Sequence, residues 1–153
     1  MKKVFLTRGL PGSGKSTWAR KQSGYPALMS ADDYFMSSGE YKFDPSLLGE
    51  AHKDCFRRFL QTLTEGSSQE LASNAGAGTT AIVHNTFIQA WELSPYVLAG
   101  ETFGYEVTIV NLHCTVEQSI ARNVHNVPEN TIRRMANDIA RAFIPPFWKQ
   151  IGV

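Results

Sequence analysis

Two short stretches near the amino end combine residue types and spacings that could do chemistry. The first is "GLPGSGKST", residues 9–17. It fits G-x-x-x-x-G-K-[ST], with Gly9, Gly14, Lys15 and Ser16 in the defining positions and Pro11, Gly12, Ser13 and Thr17 completing the loop. Glycines let the backbone curl so that successive N–H groups point inward at phosphate oxygens. A helix beginning near Lys15 adds the positive end of its dipole. Lys15 then reaches β- and γ-phosphates, and the Ser16 hydroxyl is placed to ligate Mg²⁺. A bare glycine turn between a strand and a helix would need neither side chain. The second stretch is "MSADDYF", residues 29–35. Ser30 and Asp33 make an S-x-x-D helix-start pattern, so Asp33 reads as a cap or a solvated side chain. Asp32 is either a second acid at a helix start or a general base, because a carboxylate oriented on the attacking hydroxyl recurs in phosphoryl transfer.

Other residues extend the candidate site. "HNTF" follows an apolar β-branched run, so His84, Asn85 and Thr86 stand at a strand end. His84 is a metal ligand, an acid–base group or a neutral hydrogen-bonded side chain; Asn85 and Thr86 could position substrate or a metal-bound water. Arg122, Arg133 and Arg134 are candidate phosphate contacts, although adjacent Arg133 and Arg134 cannot face the same way on a helix. Tyr34, Phe35, Tyr41, Phe43 and Trp91 could stack on a base or pack in the core, and Phe35 is the first of them to test.

The elements that must position these residues alternate along the chain. "KKVFLTRG" reads as a buried strand ending at the glycine loop, and "KSTWARKQ" as a helix that Gly24 and Pro26 end. "PALMS", "TTAIVH" and "YEVTIVNLH" read as further strands. In "DPSLLGEAHKDCFRRFLQTL", Leu47, Leu48, Ala51, Cys55, Phe56, Phe59, Leu60 and Leu63 recur at spacings of three and four, an amphipathic helix with Asp44 as N-cap and Pro45 at the first position. "QAWELSPYVLAGETFG", "TVEQSIARNV" and "PENTIRRMANDIARAF" read as helices, the second opened by a Thr115–Gln118 capping box. "SSQELASNAGAGT" is a ragged helix end or a loop, and "IPPFWKQIGV" an apolar tail that docks on the body. Alternation of this kind predicts an α/β domain with a mostly parallel sheet and helices on both faces, the sheet's carboxyl edge facing a ligand crevice.

Composition sets bounds on partners. The 153 residues are 42% hydrophobic and 19% charged, with a formal net charge of +1, so there is no global basic signal for nucleic acid. Cys55 and Cys114 fit no metal spacing and read as reduced thiols. No apolar run approaches the ~20 residues of a membrane helix. A soluble, cytoplasmic protein with no membrane partner is expected.

Taken together, "RGLPGSGKST", "SADDYF", "YKFDPSLLGEAH", "HNTFIQAWELSPY", "GYEVTIV" and "ARNVHNVPENTIRRM" resemble the kinase domain of phage-type polynucleotide 5′-kinases. They are more similar still to the polynucleotide-kinase-like P-loop domain of some animal ubiquitin-ligase-binding proteins. The resemblance covers residues 2 to about 138. It implies a single P-loop kinase domain over residues 1–153, a three-layer sandwich with a helical lid at about 115–138 and an apolar tail at 143–153. It implies that Asp32 is the general base, that Arg122 with Arg134 holds donor phosphates, and that Lys15 and Arg122 act in catalysis beside Asp32. The loop residues 9 and 11–17 would bind ATP, Ser16 the Mg²⁺, and Asp32, Phe35, Asn85 and Thr86 the acceptor. The sequence departs from the pattern at three places. Phe35 replaces an acceptor-holding arginine, His84 stands where the relatives carry an acid, and Asn126 replaces a lid arginine. The expected activity is ATP·Mg²⁺-dependent phosphorylation of a polynucleotide 5′-hydroxyl, DNA or RNA, at a single strand or duplex end. A small hydroxylated acceptor, or an ATP-binding switch with no acceptor, are the alternatives.

Overall fold

The computed structural model describes the backbone of residues 1–73 and 79–153 and the side chains of 1–66 and 79–153. Among the described residues five strands form one sheet: β1 (Lys3–Arg8), β2 (Ala27–Met29), β3 (Thr80–Val83), β4 (Glu106–Asn111) and β5 (Gln150–Gly152). Their order is β2-β3-β1-β4-β5, and every pairing is parallel. Around them lie α1 (Lys15–Arg20), α2 (Leu48–Ser73), α3 (Ala90–Thr102), α4 (Val116–Ala121) and α5 (Glu129–Arg141). Short 3-10 turns at Ala31–Met36 and Pro45–Leu47 follow β2 and lead into α2. The expected α/β fold with a parallel sheet is what forms. The stretch read as a ragged helix end or loop falls partly within α2, which runs to Ser73, and partly on residues 74–78, which lie outside the described residues.

Strand alternation decides what each face buries. On one face Val4 and Leu6 of β1, Ala81 and Val83 of β3, and Val107 and Ile109 of β4 meet Ala51, Cys55, Phe59 and Leu63 of α2 and Leu93, Tyr96 and Val97 of α3. On the other, Thr7, Ile82, Thr108 and Val110 are buried, and Phe5 meets the Trp18 ring of α1 edge-on at 5.5 Å. Of the expected stripe, Ala51, Cys55, Phe59 and Leu63 are buried, whereas Leu47 and Leu48 are exposed, Leu47 lying in the 3-10 turn before α2.

The carboxyl tail departs from expectation. Beyond Pro145 and Pro146 it does more than dock: it adds edge strand β5, which pairs with β4 from Ile109↔Gln150 to Asn111↔Gly152. Lys149 also pairs with Glu106 at 2.8 Å. A three-residue strand exposed along its whole length carries no alternation to detect in the sequence.

Buried Arg8, at the end of β1, joins this frame to the loop after β3. Its Nε donates to the Phe87 carbonyl (2.8 Å) and its Nη2 to that of Ile88 (2.6 Å). Phe87 has φ +49°, a conformation rare for a bulky residue, so the clamp fixes a strained turn. Arg8→Met leaves both carbonyls short of a charged donor and is expected to cost about 2–3 kcal/mol, read as a lower urea midpoint at unchanged m-value.

Candidate active site

The glycine loop joins β1 to α1, and close approach explains its composition. A Cβ on Gly9 would lie 2.5 Å from the Leu112 carbonyl oxygen and 2.6 Å from Ser13 Oγ. Gly12 sits at φ +74°, and a Cβ there would lie 2.9 Å from the Cβ of Arg122. Gly14 is the left-handed N-cap of α1. Lys15 folds back so that Nζ donates to the carbonyls of Gly9 (2.9 Å) and Leu10 (2.7 Å). Burial pushes its pKa down to about 8, against the pull of Cys114 and of Asp32. The cation is desolvated, and neither of its hydrogen-bond acceptors carries a formal charge. Ser13 Oγ is buried and has no hydrogen-bond partner among the described residues. An anion-binding cradle has these features.

Ser16 faces the end of β3. Its hydroxyl lies 3.2 Å from Nδ1 of His84, whose pKa burial lowers. In the tautomer protonated at Nε2, the neutral ring accepts the Ser16 proton and leaves hydroxyl lone pairs for a cation. Among the described residues, no group of three His, Cys, Asp or Glu side chains could hold a metal by itself. Ser16 therefore fits a metal that arrives with phosphate and water ligands, as Mg²⁺ does with nucleotides.

The two acids after β2 separate. Asp33 Oδ2 accepts from the Ser30 N–H (2.8 Å) and its Oδ1 from the Ser30 hydroxyl (3.2 Å), closing the capping box. Arg58 of α2 locks it there, pairing with Asp33 at 3.1 Å while donating to the Ser30 carbonyl at 2.9 Å. Asp32 points elsewhere. Its Oδ1 accepts from Tyr41 Oη at 3.1 Å, and its Oδ2 lies 3.9 Å from Nε2 of His125. It follows the carboxyl end of β2 as the glycine loop follows that of β1, so both lie at the same edge of the parallel sheet, and Lys15 feels its charge.

Arg122 caps the carboxyl end of α4 directly over Gly12, and its guanidinium makes no hydrogen bond or ion pair among the described residues. The Ser119 hydroxyl, one turn earlier, donates to the Pro11 carbonyl. Behind the glycine loop a cleft of about 670 Å³ opens between Leu112–Cys114 and Ala136, Ile139 and Ala140 of α5.

Two expected acceptor contacts are buried, and one expected phosphate contact faces solvent. Phe35, expected at the acceptor surface, is only 4% exposed. It lies beneath the Tyr41 and Phe43 rings (6.2 and 5.2 Å), because an aromatic ring at this position completes the core edge. Asn85 is also buried: its Oδ1 accepts from Ala31 N–H (2.9 Å) and its Nδ2 donates to Cys55 Sγ (3.6 Å). Its amide therefore ties β3 to the turn carrying Asp32 and is not open to substrate. Arg134 stands two residues, roughly 200°, around α5 from buried Ile132, so it faces solvent, and Arg133 is paired with Glu129. Thr86 is half-buried, and its carbonyl accepts from the Gly9 N–H at 3.1 Å. Tyr41, seen in the sequence only as one ring among several, and His125, passed over there, both reach Asp32. Neither carried a signal, because contact between distant segments leaves no periodicity.

Comparisons with known proteins give the family and the fold. A family model described as an AAA domain (AAA_33) matches residues 4–142. Human NEDD4-binding protein 2 is 35% identical over 145 residues, covering 90% of this chain; the chain spans only 8% of that protein's length. Among solved structures, a candidate kinase from Chloroflexus aurantiacus superimposes with a TM-score of 0.63 at 13% identity, covering 99% of this chain and 87% of that one. A chain of the Pnkp1/Rnl/Hen1 complex gives 0.53 at 20% identity, over 83% of this chain and 41% of that one. The ATP-bound AvrRxo1-ORF1:ORF2 structure gives 0.61 at 16% identity, over 91% and 47%. These likenesses show a shared P-loop kinase-like fold. With its glycine loop, parallel sheet and nearly full-length match, the chain belongs to the AAA-domain family AAA_33.

Proposed function

We propose that the chain is an ATP-dependent kinase that moves the γ-phosphoryl group to a hydroxyl, with the 5′-hydroxyl of a polynucleotide as its acceptor. The observation that carries the reading is the division of labour after β2. Asp33 is held by the capping box and Arg58, while Asp32 stands in the crevice within electrostatic reach of Lys15. The resemblance to polynucleotide 5′-kinases supplies the acceptor class. The ATP complex of a structural neighbour supports the donor.

In this mechanism the loop amides and Lys15 hold the β- and γ-phosphates, and Arg122 meets the charge that develops on the transferred group. Asp32 accepts the proton of the acceptor hydroxyl as its oxygen attacks phosphorus and the bond to the β-phosphate oxygen breaks, releasing ADP. Mg²⁺ brought in on the nucleotide and held by Ser16 would neutralise phosphate charge. The neutral His84 contributes no charge of its own but orients the Ser16 hydroxyl.

Incubation with γ-labelled ATP and 5′-OH DNA, 5′-OH RNA, nucleosides or no acceptor tests the reading. Label on oligonucleotides is expected. Label on nucleosides alone would move the acceptor to a small molecule, and free phosphate without acceptor would make the protein an ATP-hydrolysing switch. Asp32→Asn should lower transfer by about 10²–10⁴-fold with nucleotide affinity retained. Transfer within tenfold of wild type would remove Asp32 from the role of base.

Lys15 gives a pH signature. Its ammonium is favoured below about pH 8 and is lost as pH rises through that value. The triphosphate binds the charged form, so the dissociation constant should rise above pH 8, approaching tenfold per pH unit, with proton uptake on binding. Titration calorimetry in buffers of different ionisation enthalpy measures both. Lys15→Met should bind more weakly, with that pH dependence gone.

A further inference from the structure

Tyr41 lies in the loop 37–44, pinned by the Lys42 N–H to the Phe35 carbonyl at 2.9 Å. One side of its ring runs parallel to Phe43, at 7° between planes and 6.4 Å between centroids. Phe35 closes the floor edge-on. His125 lies against Tyr41 at a centroid distance of 4.2 Å and a tilt of 38°. The Tyr41 hydroxyl is held protonated, its pKa pushed up to about 12 by burial and by Asp32, so it remains a donor to Oδ1. That leaves Oδ2 as the carboxylate oxygen able to take a proton, and Oδ2 is the one that His125 faces.

His125 is weakly held. It comes from the loop between α4 and α5, beside exposed Val124 and left-handed Asn126. The loop is closed at its base by the Asn123 side chain, which bonds both the N–H and the carbonyl of Val127. The imidazole makes no hydrogen bond among the described residues. A planar heteroaromatic ring thus rests against Tyr41 and turns a polar atom toward Oδ2.

We propose that His125 occupies the seat of the acceptor's own ring. The acceptor would displace it, stack a planar ring on Tyr41, and bring a hydroxyl attached a few bonds away to Asp32 Oδ2. This inference rests on the kinase reading and adds to it the residue that recognises the acceptor's ring. The acceptor class is a hydroxyl carried next to a heteroaromatic base, as at the 5′ end of a nucleoside or polynucleotide, and Tyr41 is the residue that recognises the ring. Exposed Phe43 extends the stacking surface behind it.

The test compares two oligonucleotides that share a 5′-hydroxyl and backbone, one with a terminal base and one with an abasic tetrahydrofuran residue at that end. Equilibrium anisotropy is measured with a non-hydrolysable ATP analogue present, and KM and kcat with ATP. Wild type should favour the base-bearing end by about tenfold, within the range of a single base stacked on an aromatic side chain. Tyr41→Leu should shrink that preference to within twofold while its nucleotide affinity shows that the protein is folded. Tyr41→Phe should keep the preference but lower kcat for both ends alike, since only the hydrogen bond to Asp32 is lost. His125→Ala should lower the base-bearing acceptor's KM by removing a competitor. Equal binding of the two ends by wild type, or a preference that survives Tyr41→Leu, would overturn the subsite. Anisotropy needs no turnover, so the binding comparison decides the subsite even where no phosphate is transferred. Absent transfer would count against the kinase reading instead.

Discussion

At Gly9 the chain runs between two neighbours with no room for a side chain. Its N–H donates to the Thr86 carbonyl on the β3 side, and its α-carbon lies so close to the Leu112 carbonyl on the β4 side that a methyl group would clash. The loop that follows can curl inward only because this seam is closed. The same seam fixes where everything else arrives. The β3 side brings His84 to Ser16 and, through Asn85 and Ala31, sets the turn that carries Asp32. The β4 side brings α4, whose carboxyl end places Arg122 over Gly12.

From that frame the electrostatics follow. Arg8 is a buried cation and Lys15 a half-buried one, and they have opposite uses. Arg8 commits its guanidinium to two backbone carbonyls and becomes part of the scaffold. Lys15 rests on two carbonyls of the loop that it would leave to meet a phosphate. Desolvation makes the ammonium costly until an anion arrives, and the cost then favours binding. His84 obeys the same constraint on charge: a neutral ring at the strand end orients Ser16 without adding a carboxylate to repel polyphosphate.

Asp32 and Asp33 show how neighbouring residues of one type acquire different fates. In a 3-10 turn successive side chains diverge by about a third of a revolution, so one points back to the helix start and the other outward. Arg58, delivered from the middle of α2, neutralises the first. Tyr41 and His125 meet the second. The aromatic group of Phe35, Tyr41 and Phe43 also accounts for Phe35, whose buried ring supports the other two from below.

The sequence by itself determined much of this protein. Local rules are written in adjacent residues, so the glycine loop, the capping boxes at Ser30 and Thr115, the Asp44 cap, the α2 stripe and the alternation toward a parallel sheet could all be read from spacing. The S-x-x-D pattern marked Asp33 as a candidate cap, while the role expected of Asp32 came from the family resemblance. Tertiary structure alone decided the contacts between distant segments: Tyr41 and His125 on Asp32, Arg58 on Asp33, the burial of Phe35 and Asn85, the outward turn of Arg134 and the edge strand β5. Such contacts depend on which loops the sheet order brings to one edge. That order is set by packing over the whole chain, and no local spacing records it.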